Sequence, residues 1–578
     1  MKTESGSPRG IAPRDGRSHV QGSTAADVPL SDATIPAMLA ETVSTFADRP
    51  AVVFCEQGIR WTWAQFDEEV SRLATGLSAI GLQHGDRLGI WSPNRAEWLV
   101  TQFATARIGV ILVNVNPAYR LHELDYALNA AGCRALVSAE TWRSSNYLDM
   151  LQTLAPELAS CEPGRLESKR LPMLQFVIRM GDAFTPGMLR YQDVLLRGRN
   201  DNPRDIDQNR LDCHDPINIQ FTSGTTGNPK GATLTHHNVV NNARFVAQAM
   251  RLTELDSLCI PVPLYHCFGM VLAVLACVST GAAMVFPGEV FEPGATLAAV
   301  SGERCTALHG VPTMFIAELD HPQFASFDLS SLRTGIMAGA PCPIETMKRV
   351  VAQMHMREIT IAYGMTETSP VSFQSSTTDP IERRVSTVGR IQPHLEAKVV
   401  DADGQVLPID SPGELWVRGY AVMKGYWGND ERTRDVIVDG WMRTGDLATI
   451  DAEGYCNIVG RLKDMLIRGG ENIYPREIEE FLFQHPKVQS VQVFGVPDAK
   501  YGEEVCAWIM LKPGEQSSEE EIRAFCCDQI AHYKIPRHIR FVADMPMTIT
   551  GKVQKFVMRE RMVDELRAPG LSTNSQKG

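Results

Sequence analysis

The sequence predicts an α/β fold with three parts: a large N-terminal domain of parallel α/β sheets, a β-rich subdomain and a small α+β C-terminal domain. Three observations predict it. Short β-rich runs alternate with helical patterns from about residue 51 to residue 361, which is typical of parallel sheets covered by helices. A turn signal at Asp403–Gly404 separates strand-like runs after residue 385. A mixed helix and strand pattern then follows residue 463.

The first region contains six clear strand candidates. They are AVVFC (51–55), RLGIW (87–91), VILVNV (110–115), LQFVI (174–178), AAMVF (282–286) and TALHG (306–310). One apolar run, Met270–Phe286, is long enough to raise the question of a membrane span, but Ser279, Thr280 and Gly281 interrupt it. We interpret it as a buried helix, a turn at Gly281 and a short buried strand.

The later regions supply further elements. Residues 396–408 and 413–419 predict strands of the β-rich subdomain. In the C-terminal region, Pro475 can open a helix that runs to about His485. Strands at 489–496 and 504–511 and a capped amphipathic helix at 517–530 follow. The expected boundaries are a disordered tail at 1–27, an N-terminal domain at 28–462 with its β-rich part at 385–462, a C-terminal domain at 463–565 and a disordered tail at 566–578.

Composition limits the classes of function. A chain of 578 residues is expected to form two or more cores. The net charge of -12 argues against a broad nucleic-acid-binding face. The 13 cysteines contain no C-x-x-C pair, and the N-terminus has no apolar segment of the secretory type, so we expect a cytoplasmic protein with reduced thiols. The expected partners are small molecules, and the oligomeric state stays open.

The segment TSGTTGNPKG, Thr222–Gly231, predicts a phosphate-binding loop. Gly224 and Gly227 allow backbone N–H groups to converge on an anion, hydroxyls add donors and Lys230 adds a charge. A predicted strand, Ile217–Phe221, precedes the loop and a predicted helix, about Thr235–Met250, follows it, which is the layout of a phosphate cradle. The alternative is a flexible surface loop.

The loop differs from the P-loop of nucleotide triphosphatases. Asn228 and Pro229 occupy the region where the second glycine of that motif should stand. Gly231 follows Lys230, so the Ser or Thr that would hold magnesium is missing. This loop therefore requires a magnesium ligand from elsewhere in the chain.

Four other segments carry candidate site residues, and three of them also have a purely structural alternative. Thr366 and Glu367 in YGMTETSP offer hard oxygen ligands for Mg²⁺, or they cap a helix. Asp446 in WMRTGDL can accept ribose hydroxyls, or it is a turn residue. The small residues of MAGAPCP (337–343) allow a flat base to approach the backbone. Lys552 in TITGKVQK follows a glycine in a polar segment, where a surface lysine is the alternative.

Together, and in this order, the motifs TSGTTGNPKG, YHCFG, MAGAP, YGMTET, GELWVRG, TGDL, GRLKD and TGKVQK resemble those of the adenylate-forming superfamily of acyl-CoA synthetases, carrier-protein adenylation domains and luciferases. The resemblance extends from the region of Ile35 to that of Arg561. It implies a large N-terminal domain with a C-terminal lid that rotates between two half-reactions. In the first, a carboxylate attacks the α-phosphate of ATP with Mg²⁺; in the second, a thiol attacks the acyl-adenylate.

The resemblance also implies roles for individual residues. Lys552 bridges the carboxylate and the α-phosphate, His266 gates the acyl pocket, Lys463 is the hinge, and Gly470 lines the pantetheine tunnel of coenzyme A. It assigns the phosphate contacts to Thr222, Ser223, Gly224, Thr225, Thr226, Gly227, Asn228, Pro229 and Lys230, and the magnesium contacts to Thr366 and Glu367. It assigns the adenine contacts to Gly339, Ala340, Pro341, Tyr363 and Gly364, and the ribose contacts to Asp446 and Arg461.

The substrate class follows from smaller features. The segment MVLAVLACV after PLYHCFG is uncharged, so an amino acid substrate is not expected. The chain ends soon after TGKVQK, which favours free coenzyme A as acceptor. GRLKD departs from the D-R-K-K pattern of long-chain ligases, so the chain looks more like the medium-chain, broad-specificity fatty-acyl group. The alternatives are an aryl or short branched acid, and a ligase that loads a separate carrier protein.

Overall fold

The structure is a computed structural model. It describes residues 13, 15–25, 28–200, 211–222, 229–340, 342–468, 471–527, 529–548 and 552–567. The chain forms two large mixed sheets, which contain the six strand candidates identified above and are covered by helices.

The first large sheet has eight strands and is parallel except at one edge. In sheet order the strands are Leu189–Arg190, Phe176–Arg179, Ala135–Ser138, Arg87–Trp91, Ile111–Asn114, Pro216–Thr222, Lys230–Thr235 and Gly425–Tyr426. The antiparallel edge is formed by the last three strands. The predicted phosphate loop lies between the first two of these three strands, Pro216–Thr222 and Lys230–Thr235.

The second large sheet has nine strands, with parallel pairing at its centre and antiparallel strands at both edges. In sheet order the strands are Arg390–Ile391, Val371–Gln374, Glu358–Gly364, Thr334–Ala338, Ala307–Gly310, Ser257–Cys259, Ala283–Phe286, Pro50–Phe54 and Ile59–Thr62. A continuous hydrophobic core spans the helices between the two sheets.

An antiparallel sheet follows, as the β-rich pattern predicts. Its strands are His19–Gln21, Leu395–Val400, Gly413–Gly419, Trp441–Ile450 and Ile437–Val438, with Cys456–Arg461 on the free side of Trp441–Ile450. A small hairpin, Thr141–Trp142 with Ser145–Asn146, lies outside these sheets.

The described residues between 466 and 567 form a separate sheet with hydrophobic clusters of their own, and we call this part the lid. Its strands are Leu466–Arg468, Glu471–Ile473, Val488–Asp498, Gly502–Leu511 and His538–Phe541. Because its core contains only side chains of this region, the lid can move as one unit.

The α-helices mostly cover the sheets. They are Ile35–Phe46, Trp63–Ala79, Ala96–Arg107, Leu121–Ala131, Tyr147–Leu154, Tyr191–Asn200, His236–Ala249, Ala276–Thr280, Pro293–Glu303, Pro312–Leu319, Ile344–Gln353, Ile381–Ser386, Asp430–Val436, Pro475–Leu482, Glu519–Cys526 and Lys555–Arg567. Short 3₁₀-helices occupy Pro156–Ala159, Phe324–Ser326, Thr366–Thr368 and His532–Lys534.

The apolar run forms a buried π-helix, Phe268–Leu275, continued by Ala276–Thr280. Gly281 ends it in the left-handed conformation, and the strand Ala283–Phe286 follows, as expected. Within the described residues, no helix combines the length and hydrophobicity that a bilayer crossing requires.

The N-terminal segment differs from the expected disordered tail. Residues 15–25 are ordered, and the strand His19–Gln21 pairs with Leu395–Val400. Val20 is buried, and the hydroxyl of Ser18 donates to the carbonyl oxygen of Pro408 at 2.8 Å. Backbone pairing at a sheet edge needs few apolar side chains, so the polar composition of the segment did not reveal this strand.

The layout around the phosphate loop also differs from the prediction. The helix His236–Ala249 does not follow the loop directly, because the strand Lys230–Thr235 intervenes and pairs with Pro216–Thr222. Thr222 and Lys230, on either side of the loop, are therefore paired in an antiparallel ladder, and the helix N-terminus lies a whole strand away from Lys230. The buried run Gly231–Thr235 explains the strand, since it packs between two neighbouring strands.

Candidate active site

The candidate site begins where two neighbouring parallel strands end. Ala338 of one strand lies opposite Ala362 of the next. Gly339 and Ala340 follow the first strand, and Tyr363 lies near the end of the second. The carboxyl ends of parallel strands meet at one sheet edge, which is where α/β proteins bind their ligands.

Local backbone geometry explains why glycine occupies two positions at this edge. Gly339 has a φ of 89°, in the left-handed region that favours glycine. A Cβ at Gly364 would lie 1.7 Å from the carbonyl oxygen of Pro370, so the backbone there leaves no room for a side chain. Both positions keep the edge narrow and free of side chains, which suits the approach of a flat ring.

Asp446 is held from two sides. It lies in the strand Trp441–Ile450, not in an isolated turn, and faces Arg461 across the antiparallel ladder. Its Oδ1 lies 3.2 Å from Nε of Arg461, and its Oδ2 accepts a 2.6 Å hydrogen bond from the hydroxyl of Tyr363. Burial and the Asp446 carboxylate raise the pKa of Tyr363 well above its ordinary value, so the phenol stays a donor.

The ends of the phosphate loop are fixed by strand pairing. Thr222 lies opposite Lys230 in the hairpin ladder. The Thr222 hydroxyl donates to Oε1 of Glu367 at 3.2 Å, which joins the loop to the motif at 366–367. Pro229 and Lys230 are half-buried. The structure thus brings Thr222, at the start of the loop, into contact with the predicted magnesium ligand Glu367.

Glu367 fits a cation site. It is 6% exposed, and Oε1 also accepts a hydrogen bond from the hydroxyl of Tyr426 at 2.9 Å. Among the residues that the structure describes, no lysine or arginine forms a salt bridge with it. A buried carboxylate with neutral donors and no basic partner is suited to hold a hard cation. Thr366 is buried next to it and opens the 3₁₀-helix Thr366–Thr368.

Tyr426 is a site residue that sequence reasoning missed. Its hydroxyl contacts Glu367, and the ammonium of Lys230 lies 5.2 Å from the centre of its ring. The two-residue strand Gly425–Tyr426 pairs with the loop hairpin at Ala232. The only signal in the sequence is an aromatic residue after glycine in KGYWGND, which by itself is indistinguishable from a core residue.

His266 and Cys267 lie beside the same centre. Nδ1 of His266 accepts a hydrogen bond from the N–H of Phe268 at 3.1 Å, so the neutral ring carries its proton on Nε2. Burial and then the charge of Lys552 lower the pKa of His266 to about 3. Burial raises the pKa of Cys267 to about 12, and its thiol contacts Oε1 of Gln220 at 3.2 Å. Both groups are therefore neutral at pH 7.

Lys552 reaches this centre from the lid. Burial lowers the pKa of its ammonium, and the nearby charge of Arg461 lowers it further. Asp446 and Glu367 act in the opposite direction. The structure therefore shows the lid in an orientation that places Lys552 within electrostatic reach of His266, Glu367 and the Asp446–Arg461 pair.

Lys463 lies in the turn that connects the body to the lid. The turn follows the strand Cys456–Arg461 and precedes Leu466–Arg468. Lys463 is exposed. Beyond the turn, the guanidinium of Arg476 donates to the carbonyl oxygen of Ile458, which anchors the lid in this orientation.

Some predicted residues lie outside the described part of the chain. They are Ser223, Gly224, Thr225, Thr226, Gly227, Asn228, Pro341 and Gly470.

Comparisons with known proteins agree with this geometry. The AMP-binding enzyme family matches residues 39–427, and the AMP-binding enzyme C-terminal domain matches residues 477–552. YngI of Bacillus subtilis (strain 168) is 52% identical, and the match covers 93% of this chain and 98% of that protein. The mitochondrial medium-chain acyl-CoA ligase ACSF2 of Danio rerio is 49% identical over 93% of this chain and 90% of its own length.

Among solved structures, an anthranilate CoA ligase, AuaEII, in complex with anthranoyl-AMP is similar with a TM-score of 0.84 and 27% identity, covering 94% of this chain and all of its own. ATP-bound MatB from Rhodopseudomonas palustris is similar with a TM-score of 0.79 and 30% identity, covering 93% of this chain and 100% of its own. The family match covers more than half of the chain, and relatives near 50% identity cover nearly all of it. The chain therefore belongs to the AMP-binding enzyme family.

Proposed function

We propose that this protein is an AMP-forming acyl-CoA ligase that activates a medium-chain fatty acid with ATP and transfers it to coenzyme A. The observation that carries the proposal is the convergence of Lys552 from the lid with Glu367, His266 and the Asp446–Arg461 pair from the body. A lysine from the lid and a nucleotide site with carboxylates from the body suit a reaction between two anions, the carboxylate of the acid and ATP.

In the first half-reaction, a carboxylate oxygen of the acid bonds to the α-phosphorus of ATP, and the bond from that phosphorus to pyrophosphate breaks. The transition state concentrates negative charge, which Lys552 is placed to offset. Lys230 and the phosphate loop hold the departing pyrophosphate. Asp446 accepts the ribose hydroxyls, and Tyr363 lies against the base between Gly339, Ala340 and its own strand end.

Glu367 and Thr366 are the residues that would hold Mg²⁺. The ion supplies positive charge to the phosphate oxygens when it is bound with ATP. The chain's own part is to orient the Glu367 carboxylate. The hydroxyls of Tyr426 and Thr222 both donate to Oε1, which leaves the second oxygen of the carboxylate for a ligand.

We also assign Tyr426 as a positioning residue. It contacts both Glu367 and Lys230, so one side chain fixes the relative position of the two groups that face the phosphates. Its buried hydroxyl and ring orient these groups without contacting the reacting atoms.

The second half-reaction requires the lid to turn. The thiol sulfur of coenzyme A bonds to the acyl carbon, the bond from that carbon to AMP breaks, and the thiol proton leaves to solvent. Lys552 would leave this site as the lid turns, and the turn around Lys463 supplies the rotation.

Cytoplasmic localisation is part of the same proposal and rests on the cysteine pattern. Fractionation of cells that express the tagged protein tests it.

The fatty acid assignment rests on the uncharged π-helix Phe268–Leu275 directly after His266 and on relatives named as medium-chain acyl-CoA ligases. An aryl acid is the second candidate, because a structure with a TM-score of 0.84 is an anthranilate CoA ligase. Nothing charged on the π-helix would pair with the amino group or other polar substituent of such a ring.

A screen of acid-dependent ATP–pyrophosphate exchange across C2 to C18 and aryl acids, repeated with coenzyme A, tests the function. We expect the largest kcat/KM for medium-chain acids and thioester formation with free coenzyme A. A larger value for benzoate-type acids would replace the fatty acid assignment. Exchange without any thioester from free coenzyme A would favour a ligase that loads a carrier protein.

A further inference from the structure

A second group of chemically active side chains lies away from the ATP site, in the turn just before the strand Pro216–Thr222. Asp212, Cys213 and His214 each offer one metal-ligating atom, and these three atoms lie within 4.8 Å of one another. His214 lies two residues before the strand begins, at the end opposite the phosphate loop. At about 3.3 Å per residue, the strand separates this cluster from the loop by roughly 20 Å.

A fourth candidate ligand comes from a different element. The ring of His237, in the first turn of the helix His236–Ala249, lies 4.8 Å from the ring of His214, centre to centre. The N–H of His237 donates to the carbonyl oxygen of Cys213 at 2.7 Å, so the turn and the helix are already joined.

The surroundings hold this turn in place. The N–H of Asp212 donates to Oδ2 of Asp215 at 3.1 Å, and Nε2 of His84 lies 3.0 Å from the same oxygen. The N–H of His214 donates to Oδ1 of Asp212 at 2.7 Å, which orients that carboxylate and leaves Oδ2 for a ligand.

We propose that Asp212, Cys213 and His214 bind a zinc ion, with His237 as the fourth ligand. A thiolate, imidazole and carboxylate set suits Zn²⁺ and not Mg²⁺, which prefers oxygen ligands only. Tetrahedral zinc requires ligand atoms roughly 3.3–3.8 Å apart. Rotation of the exposed side chains of Asp212 and His214 can provide that contraction. Binding replaces the thiol proton of Cys213, which leaves to solvent.

The site would tie the turn to the helix and stabilise the fold without taking part in the ligase reaction. It was not visible in the sequence, because three consecutive residues do not form one of the spaced zinc patterns and the fourth ligand follows only after the phosphate loop and a strand.

The test is a Zn²⁺ titration of the chelator-treated full chain in competition with a chromophoric chelator, followed by Co²⁺ substitution. We expect one equivalent of tightly bound zinc, a thiolate-to-cobalt absorption band and a higher melting temperature with zinc. Cys213→Ser and His214→Ala should each weaken zinc binding by at least about tenfold and remove the rise in melting temperature. Cys161→Ser is the matched control, because Cys161 is also a half-buried free cysteine, and it should bind as the wild type does.

Equal zinc affinity in the wild type and Cys213→Ser, or no saturable zinc in the wild type, would overturn the proposal. If Cys213→Ser folds poorly, His214→Ala alone decides, since that side chain is exposed. ATP–pyrophosphate exchange in magnesium buffer should be the same in all variants. The result is therefore independent of the proposed ligase function.

Discussion

At the scale of single residues, the site depends on how neighbouring groups fix one another. Asp446 uses both carboxylate oxygens, one toward Arg461 and one toward Tyr363. Glu367 accepts two hydroxyl donors on one oxygen. These contacts place each carboxylate before any nucleotide arrives, which lowers the cost of ordering the site on binding.

Tyr426 provides a direct test of that positioning. Tyr426→Phe removes the hydroxyl donated to Glu367 but keeps the ring beside Lys230, whereas Tyr426→Leu removes both contacts. Loss of a hydrogen bond to a charged group costs about 1.5–3 kcal/mol, so we expect Mn²⁺ affinity in the presence of ATP to fall roughly 10- to 100-fold in both variants. Only the leucine variant should also bind ATP more weakly without the metal.

Electron paramagnetic resonance of Mn²⁺ and calorimetry of ATP binding, both without acid substrate, measure these affinities. Tyr474→Phe is a matched control, because this lid tyrosine forms no described contact with Glu367. Unchanged Mn²⁺ affinity in a folded Tyr426→Phe protein would remove Tyr426 from the site.

The pKa of Lys552 predicts a difference in pH dependence between the half-reactions. Adenylation needs the charged ammonium, and burial followed by Arg461 lowers its pKa below the ordinary 10.5. As pH rises, kcat/KM for pyrophosphate exchange should therefore fall with a midpoint below 10.5, because this quantity reports the free enzyme. Thioester formation from supplied acyl-adenylate should lack that alkaline limb. The same alkaline fall in both pH profiles would argue against a role of Lys552 in adenylation only.

At the scale of elements, the turn at residues 462–464 is the part whose conformation must change. Proline fixes φ near −65° and removes an N–H. Lys463→Pro should therefore hold one lid orientation, and we expect adenylation to survive better than thioester formation, since the observed orientation already brings Lys552 to the site. Lys463→Ala is the control and should retain both half-reactions.

Pyrophosphate exchange, single-turnover thioester formation and thermal unfolding are measured on the same preparation. Parallel loss of both activities in a well-folded Lys463→Pro protein would contradict a hinge at this residue.

The elements also show what the sequence could and could not predict. Local runs such as Arg87–Trp91 and Gly413–Gly419 are strands with the expected bounds, because β-branched and apolar residues favour a buried ladder. The strand Lys230–Thr235 was missed because one of its two neighbouring strands, Gly425–Tyr426, is distant in sequence. Tyr426 was missed for the same reason: its role depends on a contact with Glu367 that no local pattern reports.

At the scale of the whole molecule, two units with separate hydrophobic cores share one reaction centre. In the proposed reaction the body would supply the nucleotide contacts and the lid would supply Lys552. The lid is anchored through Arg476 to the backbone of Ile458. Motif order along the chain predicted this division of residues. Motif order could not predict the orientation of the lid, because the orientations for both half-reactions are compatible with the same local sequence patterns.

The central claim is that the lid delivers Lys552 for the first half-reaction only. The most direct test is Lys552→Ala, assayed for acid-dependent pyrophosphate exchange and, separately, for thioester formation from synthetic acyl-adenylate and coenzyme A. Lys555→Ala, in the same lid segment but paired with Glu479, is the matched control. We expect Lys552→Ala to lose pyrophosphate exchange while thioester formation stays close to the wild-type rate. An equal loss of both half-reactions in a folded protein would contradict the account.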